Sequence, residues 1–257
     1  MGSSHARTFR ALLEYNLPRL LKRLKFVFFD DYAFKSYSQE GEDMILRRIF
    51  ENQKTGFYVD VGAHHPKRFS NTYYFYDQGW RGINIDALPG SMRLFQEIRH
   101  RDINLEMAVS DKKETLTFYV FNEPALSGFS STLAEKRTAG GTHRIIHQYQ
   151  LTTETLKNIL DTHVPKQQNI TFLSIDVEGY DLKVLKSNDW KKYRFPVVLV
   201  ESLEMTLEEI LESETYMFMK SEGYTLLGKS LSTLIFRAED AGYSPFEGSG
   251  VNQVPSS

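Results

Sequence analysis

The chain has no cysteine among its 257 residues. Disulfides and thiolate metal sites are therefore excluded, and the redox compartment is left undetermined. Neither sign of charge dominates: 31 Lys and Arg stand against 33 Asp and Glu, a formal net charge of −2. Broad electrostatic binding to nucleic acid needs a basic face, so nucleic acid is not expected as a partner. No apolar run approaches the ~18 residues that crossing a bilayer requires. No secretory signal is visible, so the expected location is the cytoplasm. There are no internal repeats. Length and composition suit one α/β domain with a sizeable core.

The chain reads as three segments. Residues 1–37 form an N-terminal extension, of which Met1 to His5 look like a cloning remnant. Between Arg7 and Phe29 it is basic and apolar: Leu12, Leu13, Leu17, Leu20, Leu21 and Leu24 alternate with Arg19, Lys22, Arg23 and Lys25. Pro18 breaks this stretch into two short helices. The preferred expectation is a helical cap on the main domain or on a partner subunit of a homodimer. The alternative is a helix lying on a membrane surface. Residues 38–238 form the main domain. The tail, 239–257, is polar and rich in Gly, Ser and Pro, and disorder is expected there.

Within the main domain Ser38 is a candidate N-cap for a helix running to Phe50. Strands and helices then alternate. Strands are expected at Gly56–Gly62, Gly82–Ala87, Asn104–Val109, Thr171–Val177 and Pro196–Glu201. Helices are expected at Ser70–Tyr76, Ser91–Ile98, Tyr180–Ser187 and Thr206–Ser221. Such alternation predicts parallel strands joined by right-handed crossovers. Thr115–Phe121 reads as an added strand, Glu123–Gly141 as a loop or lid, and Thr152–His163 as a helix capped by Thr152 or Thr153. Tyr224–Gly228 and Ser232–Arg237 are joined without room for a helix, which forces an antiparallel pair.

Three aspartates fall at the carboxyl ends of expected parallel strands: Asp60, Asp86 and Asp176. Open α/β sheets bind ligands at these ends, near the point where strand order reverses. Gly62 allows the backbone to bend and approach a ligand. His64 stands where a dinucleotide fingerprint would want glycine, which disfavours a pyrophosphate. Asp86 follows Asp60 by 26 residues, and suits the ribose hydroxyls of an adenosine-containing cofactor. Val109 and Ser110 end the third strand, where an adenine ring would lie.

By fold-level analogy, a terminal antiparallel pair after a parallel core is the pattern of S-adenosylmethionine methyltransferases. An ordered set of motifs sharpens this: Ser38-Gln39 with Glu42-Asp43, Val59-Asp60-Val61-Gly62-Ala63-His64, Asn71-Thr72, Gly79-Trp80-Arg81-Gly82, Asp86-Ala87, Ala108-Val109-Ser110-Asp111, Ser131-Thr132-Leu133 and Ile175-Asp176-Val177-Glu178-Gly179. From Ser38 to Arg237 the chain resembles the FkbM family of methyltransferases. The resemblance implies a Rossmann-like class I fold with a seven-stranded, mostly parallel sheet in the order 3-2-1-4-5-7-6. It implies O-methylation of sugar, glycan or natural-product hydroxyls. It also implies that Asp60, Gly62, Ala63, Asp86, Ala87, Val109, Ser110 and Asp176 surround S-adenosylmethionine, with Gln39 or Glu42 at its amino-acid end.

Methyl transfer to an alcohol needs near-attack placement and a base for the hydroxyl proton. Asp176, Glu178, His64 and His65 are the candidates, with Glu201 another. Asp176 and Glu178 would share a face if the strand ran through both, and could then steer the acceptor, act as base or bind Mg²⁺. The competing expectation is that Glu178 caps the next helix and Asp176 only positions the cofactor. His143 and His147 are expected to be solvated. Phe129 to Leu133 would close over the site on Gly128, Gly140 and Gly141. Tyr73, Tyr74, Phe75 and Tyr76 would divide between core and acceptor cleft. Rival readings are methylation of a phosphorylated small molecule or peptide, a nicotinamide-dependent oxidoreductase, and a cofactor-binding protein without turnover.

Overall fold

The computed structural model describes residues 33–202 and 206–240. The chain divides into two units, residues 1–35 and 36–257, and the second is described below. The basic amphipathic extension, its membrane-surface alternative and the tail beyond Asp240 lie outside the described residues. Among the described residues no helix is long and apolar enough to cross a membrane.

Seven strands form the main sheet: β1 (Phe57–Val61), β2 (Arg81–Asp86), β3 (Ile103–Glu106), β7 (Phe172–Ile175), β8 (Val197–Glu201), β9 (Tyr224–Lys229) and β10 (Thr233–Ala238), in the spatial order β3-β2-β1-β7-β8-β10-β9. Pairing is parallel from β3 to β8. It becomes antiparallel where β10 meets β8 and β9. The chain builds β1, β2 and β3 outward in one direction, then returns to lay β7 and β8 on the other side of β1. The seam between β1 and β7 is therefore where strand order reverses.

Every residue of β1 and β7 is buried, as strands covered on both faces must be. Val59, Val61, Ile83, Ile85, Leu173 and Ile175 face a core completed by Leu156, Ile159 and Leu160 of α5 (Leu156–His163) and by Val184 and Leu185 of α6 (Asp181–Lys186). Tyr58, Phe172, Val197 and Leu199 face the opposite core. There Leu46 and Ile49 of α1 (Glu42–Ile49) meet Tyr73, Phe75 and Tyr76 of α2 (Tyr73–Asp77). Three of the four consecutive aromatics are thus core residues. None of the four lines either cleft described below.

Several local expectations are corrected. The third strand breaks at Met107: β4 (Ala108–Val109) leaves the main sheet and joins a second sheet, β4-β6-β5, with β5 (Thr115–Phe121) and β6 (Ile145–Glu154). Residues 152–154 therefore belong to a strand. Helix α5 starts at Leu156, capped by Thr155, whose hydroxyl accepts from the Asn158 amide. Thr153 is instead buried, its hydroxyl accepting from the Glu114 amide. The expected loop at 123–141 holds a 3-10 turn (Pro124–Leu126) and α4 (Ser131–Ala139), capped by Ser130. Residues 206–221 form two helices, α7 (Leu207–Glu212) and α8 (Glu214–Ser221), because Ser213 adopts an extended conformation and caps the second. Helix α3 (Met92–Ile98) lies where expected. Ser38 is not the N-cap of α1, which begins at Glu42 after Gly41, but its hydroxyl accepts from the Gly41 and Asp43 amides.

A buried polar chain anchors the loop after β1. The Arg99 guanidinium donates to Asp102, to the Tyr58 hydroxyl at 2.7 Å and to Thr72 Oγ1 at 2.9 Å. Thr72 donates onward to Asp60 Oδ2 at 2.7 Å. Arg99 and Asp102 form an ion pair with side chains fully shielded from water. Removing one partner of such a pair costs about 3–5 kcal/mol, because the other charge is left buried and unpaired.

Candidate active site

The site is built where β1 and β7 end side by side. The Asp176 amide donates to the Val61 carbonyl, and the Gly62 and Ala63 amides donate to the Ile85 carbonyl. Gly62 has φ 85°, a conformation that L side chains rarely adopt. The bend draws its backbone against Asp176 and leaves a groove at the carboxyl edge of the sheet.

Two contiguous clefts open from this edge. The first is lined by Gly62, Asp86, Ala87 and Val109, with Phe118 and Phe129 from the second sheet and the lid. Its free volume is only ≈ 50 Å³, against about 300–1,000 Å³ for typical small-molecule pockets. The second, of ≈ 380 Å³, is lined by Gln39, Glu42, Asn71, Arg137, His143 and Glu201, among others. Gly62, His64, Ala125, Asp176 and Glu178 line both.

Asp86 sits at the end of β2. Its two carboxylate oxygens accept from the His64 and Leu88 amides, both at 2.8 Å. Enclosure by protein raises its pKa above the ordinary aspartate value, against these hydrogen bonds. Lone pairs remain on these oxygens for further donors.

Three carboxylates converge at the shared wall. Oxygens of Asp176, Glu178 and Glu201 lie within 4.8 Å of one another, a spacing that a divalent cation could bridge. Strand β7 stops at Ile175, so Asp176 and Glu178 meet through the following turn rather than along a strand face. Asp176 opens to the cleft, but protein atoms crowd around it. This crowding, followed by the nearby Glu178 and Asp181 carboxylates, pushes its pKa well above the usual range. Burial and the Asp176 charge push Glu201 up to about 11. Enclosure and mutual repulsion thus favour the protonated form among these carboxyls. Burial also raises Glu178, outweighing the Arg137 guanidinium that pairs with it. Glu178 does not cap α6. The N-cap is Tyr180, with no side-chain cap, and Asp181 accepts from the Val177 and Gly179 amides of the preceding turn at 3.0 Å.

Backbone strain concentrates here. Among the described residues four non-glycine residues have positive φ, and three of them, His64, Phe69 and Glu178, line these clefts. Such conformations cost about 1–3 kcal/mol each and persist where the surrounding structure enforces them.

The lid is fastened at two points. Arg137 on α4 pairs with Glu178, and its guanidinium also donates to the Leu126 carbonyl at 2.7 Å. Arg68 pairs with Glu123 at 3.0 Å. Phe129 packs on Phe118 and Tyr180 and walls the first cleft.

The structure brings Gly62, His64, Asp86, Ala87, Val109, Asp176, Glu178 and Glu201 together, with Gln39 and Glu42 lining the second cleft. It does not bring Asp60, Ala63, Ser110 or His65 to either cleft. Asp60 is buried and accepts from Thr72. Ala63 packs on Met92 and Phe95. Ser110 is buried and its hydroxyl donates to Asp111. His65 Nδ1 accepts from the Lys67 and Arg68 amides, which fixes the turn. Glu42 is committed to the fold as well, accepting from the Ser230 hydroxyl and the Glu40 amide.

Arg137, Arg68 and His143 were not anticipated at the site. Arg137 carried no signal, because its partner lies 41 residues away. His143 could have been found through β6: Ile145 to Leu151 alternates as a strand does, and His143 stands just before it.

Fold and site together define the class: an open α/β sheet with a ligand groove at the carboxyl edge, beside the reversal of strand order. The family model for the methyltransferase FkbM domain matches residues 60–226, well over half the chain. The chain belongs to the FkbM methyltransferase family. No curated protein and no solved structure matches it.

Proposed function

We propose that the protein transfers a methyl group from S-adenosylmethionine to a hydroxyl of a sugar, glycan or natural product. The observation that carries this reading is the pair of clefts meeting at Gly62 and Asp176. One has the lining of an adenosine site and the other has room for an acceptor. Counted along the main sheet alone, the strand order reads 3-2-1-4-5-7-6, which supports a class I methyltransferase arrangement.

The residues of the first cleft fit the cofactor. Asp86 offers two acceptor oxygens to ribose hydroxyls, and Ala87, Val109, Phe118 and Phe129 offer an apolar slot for a purine. Its small free volume means that the lid must shift to admit the adenosine group. The bound cofactor would supply an electrophilic methyl carbon at the wall shared by both clefts. Gly62 then lets backbone approach the cofactor, Gln39 lines the second cleft, and Phe129 excludes water when the lid is shut. The acidic cluster at that wall suits the positive charge of a sulfonium.

Arg68 and Arg137, the two arginines of the acceptor cleft, are each paired with a carboxylate. Among the described residues the cleft therefore has no unpaired guanidinium for a phosphate, which disfavours a phosphorylated acceptor. The test is transfer of radiolabelled methyl from S-adenosylmethionine to a panel of methyl glycosides, alditols, nucleotide-activated sugars and sugar phosphates, with and without EDTA. Methylation of neutral hydroxyl compounds supports the reading. Transfer only to phosphates refutes the acceptor class, and loss of transfer in EDTA assigns the carboxylates to a metal.

A further inference from the structure

His143 is the one histidine of the acceptor cleft not already considered as a base. It follows the lid, two residues before β6, and lines the second cleft with Arg137, Glu178 and Glu201. Its Nδ1 is shielded from water and has no hydrogen-bond partner among the described residues. The same holds for Glu201 Oε2 in the same cleft. Leaving a buried polar atom unpaired costs about 1–3 kcal/mol, and two in one cleft point to a ligand that brings polar groups to it.

The other bases are compromised. Asp176, Glu178 and Glu201 crowd within 4.8 Å of one another, Glu178 is tied to Arg137, and His65 Nδ1 is committed to a turn. His64 lines the wall shared by both clefts, but its Nε2 lies 3.5 Å from the Arg68 guanidinium. His143 lies on the acceptor side alone. A neutral imidazole protonated on Nε2 presents Nδ1 as a lone-pair acceptor.

We propose that His143 is a catalytic residue of methyl transfer: Nδ1 accepts the acceptor's hydroxyl proton, while Glu201 hydrogen-bonds another polar group of the acceptor. The inference rests on the methyltransferase reading above. The O–H bond breaks and its proton passes to Nδ1, giving an imidazolium. The acceptor oxygen bonds the methyl carbon as the carbon–sulfur bond breaks, and that bond's electron pair stays on sulfur.

The test compares wild type, His143→Gln and His143→Ala in two assays. Calorimetry with S-adenosylhomocysteine reports the cofactor cleft. Radiolabelled methyl transfer to the panel of neutral alcohols reports chemistry. Both variants are expected to bind S-adenosylhomocysteine within about twofold of wild type and to lose about 100-fold or more in transfer rate, the usual scale of a lost general base. Imidazole added to His143→Ala should restore about tenfold or more, which a merely structural role would not allow. Transfer by His143→Gln within about threefold of wild type would overturn the proposal, as would an alanine variant indifferent to imidazole. So would a wild type that binds S-adenosylhomocysteine yet methylates no alcohol. Absence of S-adenosylhomocysteine binding in wild type would instead refute the cofactor reading itself.

Discussion

A side-chain carbon added to Gly62 would stand 1.7 Å from the carbonyl oxygen of Asp176. The two strand ends touch backbone to backbone, and only glycine permits it. Gly62→Ala adds this overlap to an alanine at φ 85°. Overpacking costs about 1–3 kcal/mol and a left-handed non-glycine residue about 1–2 kcal/mol. Calorimetry should show a Tm lowered by roughly 5–15 °C, with weakened S-adenosylhomocysteine binding. An unchanged Tm would mean that the seam is looser than described.

Arg99→Met tests the buried chain that ends at Asp60. It strands Asp102 without its guanidinium and leaves Thr72 and Tyr58 without a donor. The expected loss is about 3–5 kcal/mol by urea denaturation. A loss below about 1 kcal/mol, the value of a surface pair, would contradict the network's role.

Glu201 sets a pH dependence. Its folded-state pKa is raised to about 11 from an ordinary value of 4.5. The folded state therefore holds a proton that the unfolded chain releases. The stability this provides is complete below the unfolded pKa and is lost as pH rises toward the folded one. Glu201→Gln cannot lose a proton, so its Tm should match or fall below wild type near pH 4 and exceed it by a margin that grows to about pH 9. A constant margin across that range would show that Glu201 is ionised in the folded protein.

Arg137→Ala removes the guanidinium that fastens α4 to Glu178 and to the Leu126 carbonyl. The first cleft is too small for adenosine while the lid is shut, so loosening it should speed S-adenosylhomocysteine association. Stopped-flow binding should show a rate constant raised about tenfold, the effect of releasing roughly 1.4 kcal/mol of latch. Proteolysis within residues 123–141 should rise in parallel. An unchanged association rate would remove the lid from the binding step.

What could be read in the sequence was whatever rests on local pattern. The apolar strands β1, β7 and β8, the bend at Gly62 and the reversed pair at the end all follow from periodicity and loop length. So does the placement of Asp86 and Asp176 at strand ends. The second sheet was half-visible: Thr115–Phe121 reads as a strand, but its partner β6 runs directly into α5, and the threonines at 152 and 153 mimic a helix cap. Side-chain direction was the larger gap. Asp60 and Asp86 both stand near strand ends, yet Asp60 turns toward Thr72 and the Arg99 chain while Asp86 faces the cleft. Contacts such as Arg137 with Glu178 depend on how the lid folds back, and no local pattern encodes them.

The most direct test of the account is titration of wild type and Asp86→Ala with S-adenosylhomocysteine, followed by calorimetry. Wild type should bind with one site, and Asp86→Ala should bind more than about tenfold weaker, the loss expected when charge-assisted hydrogen bonds to ribose disappear. A folded Asp86→Ala with wild-type affinity would place the adenosine elsewhere and contradict the site described here.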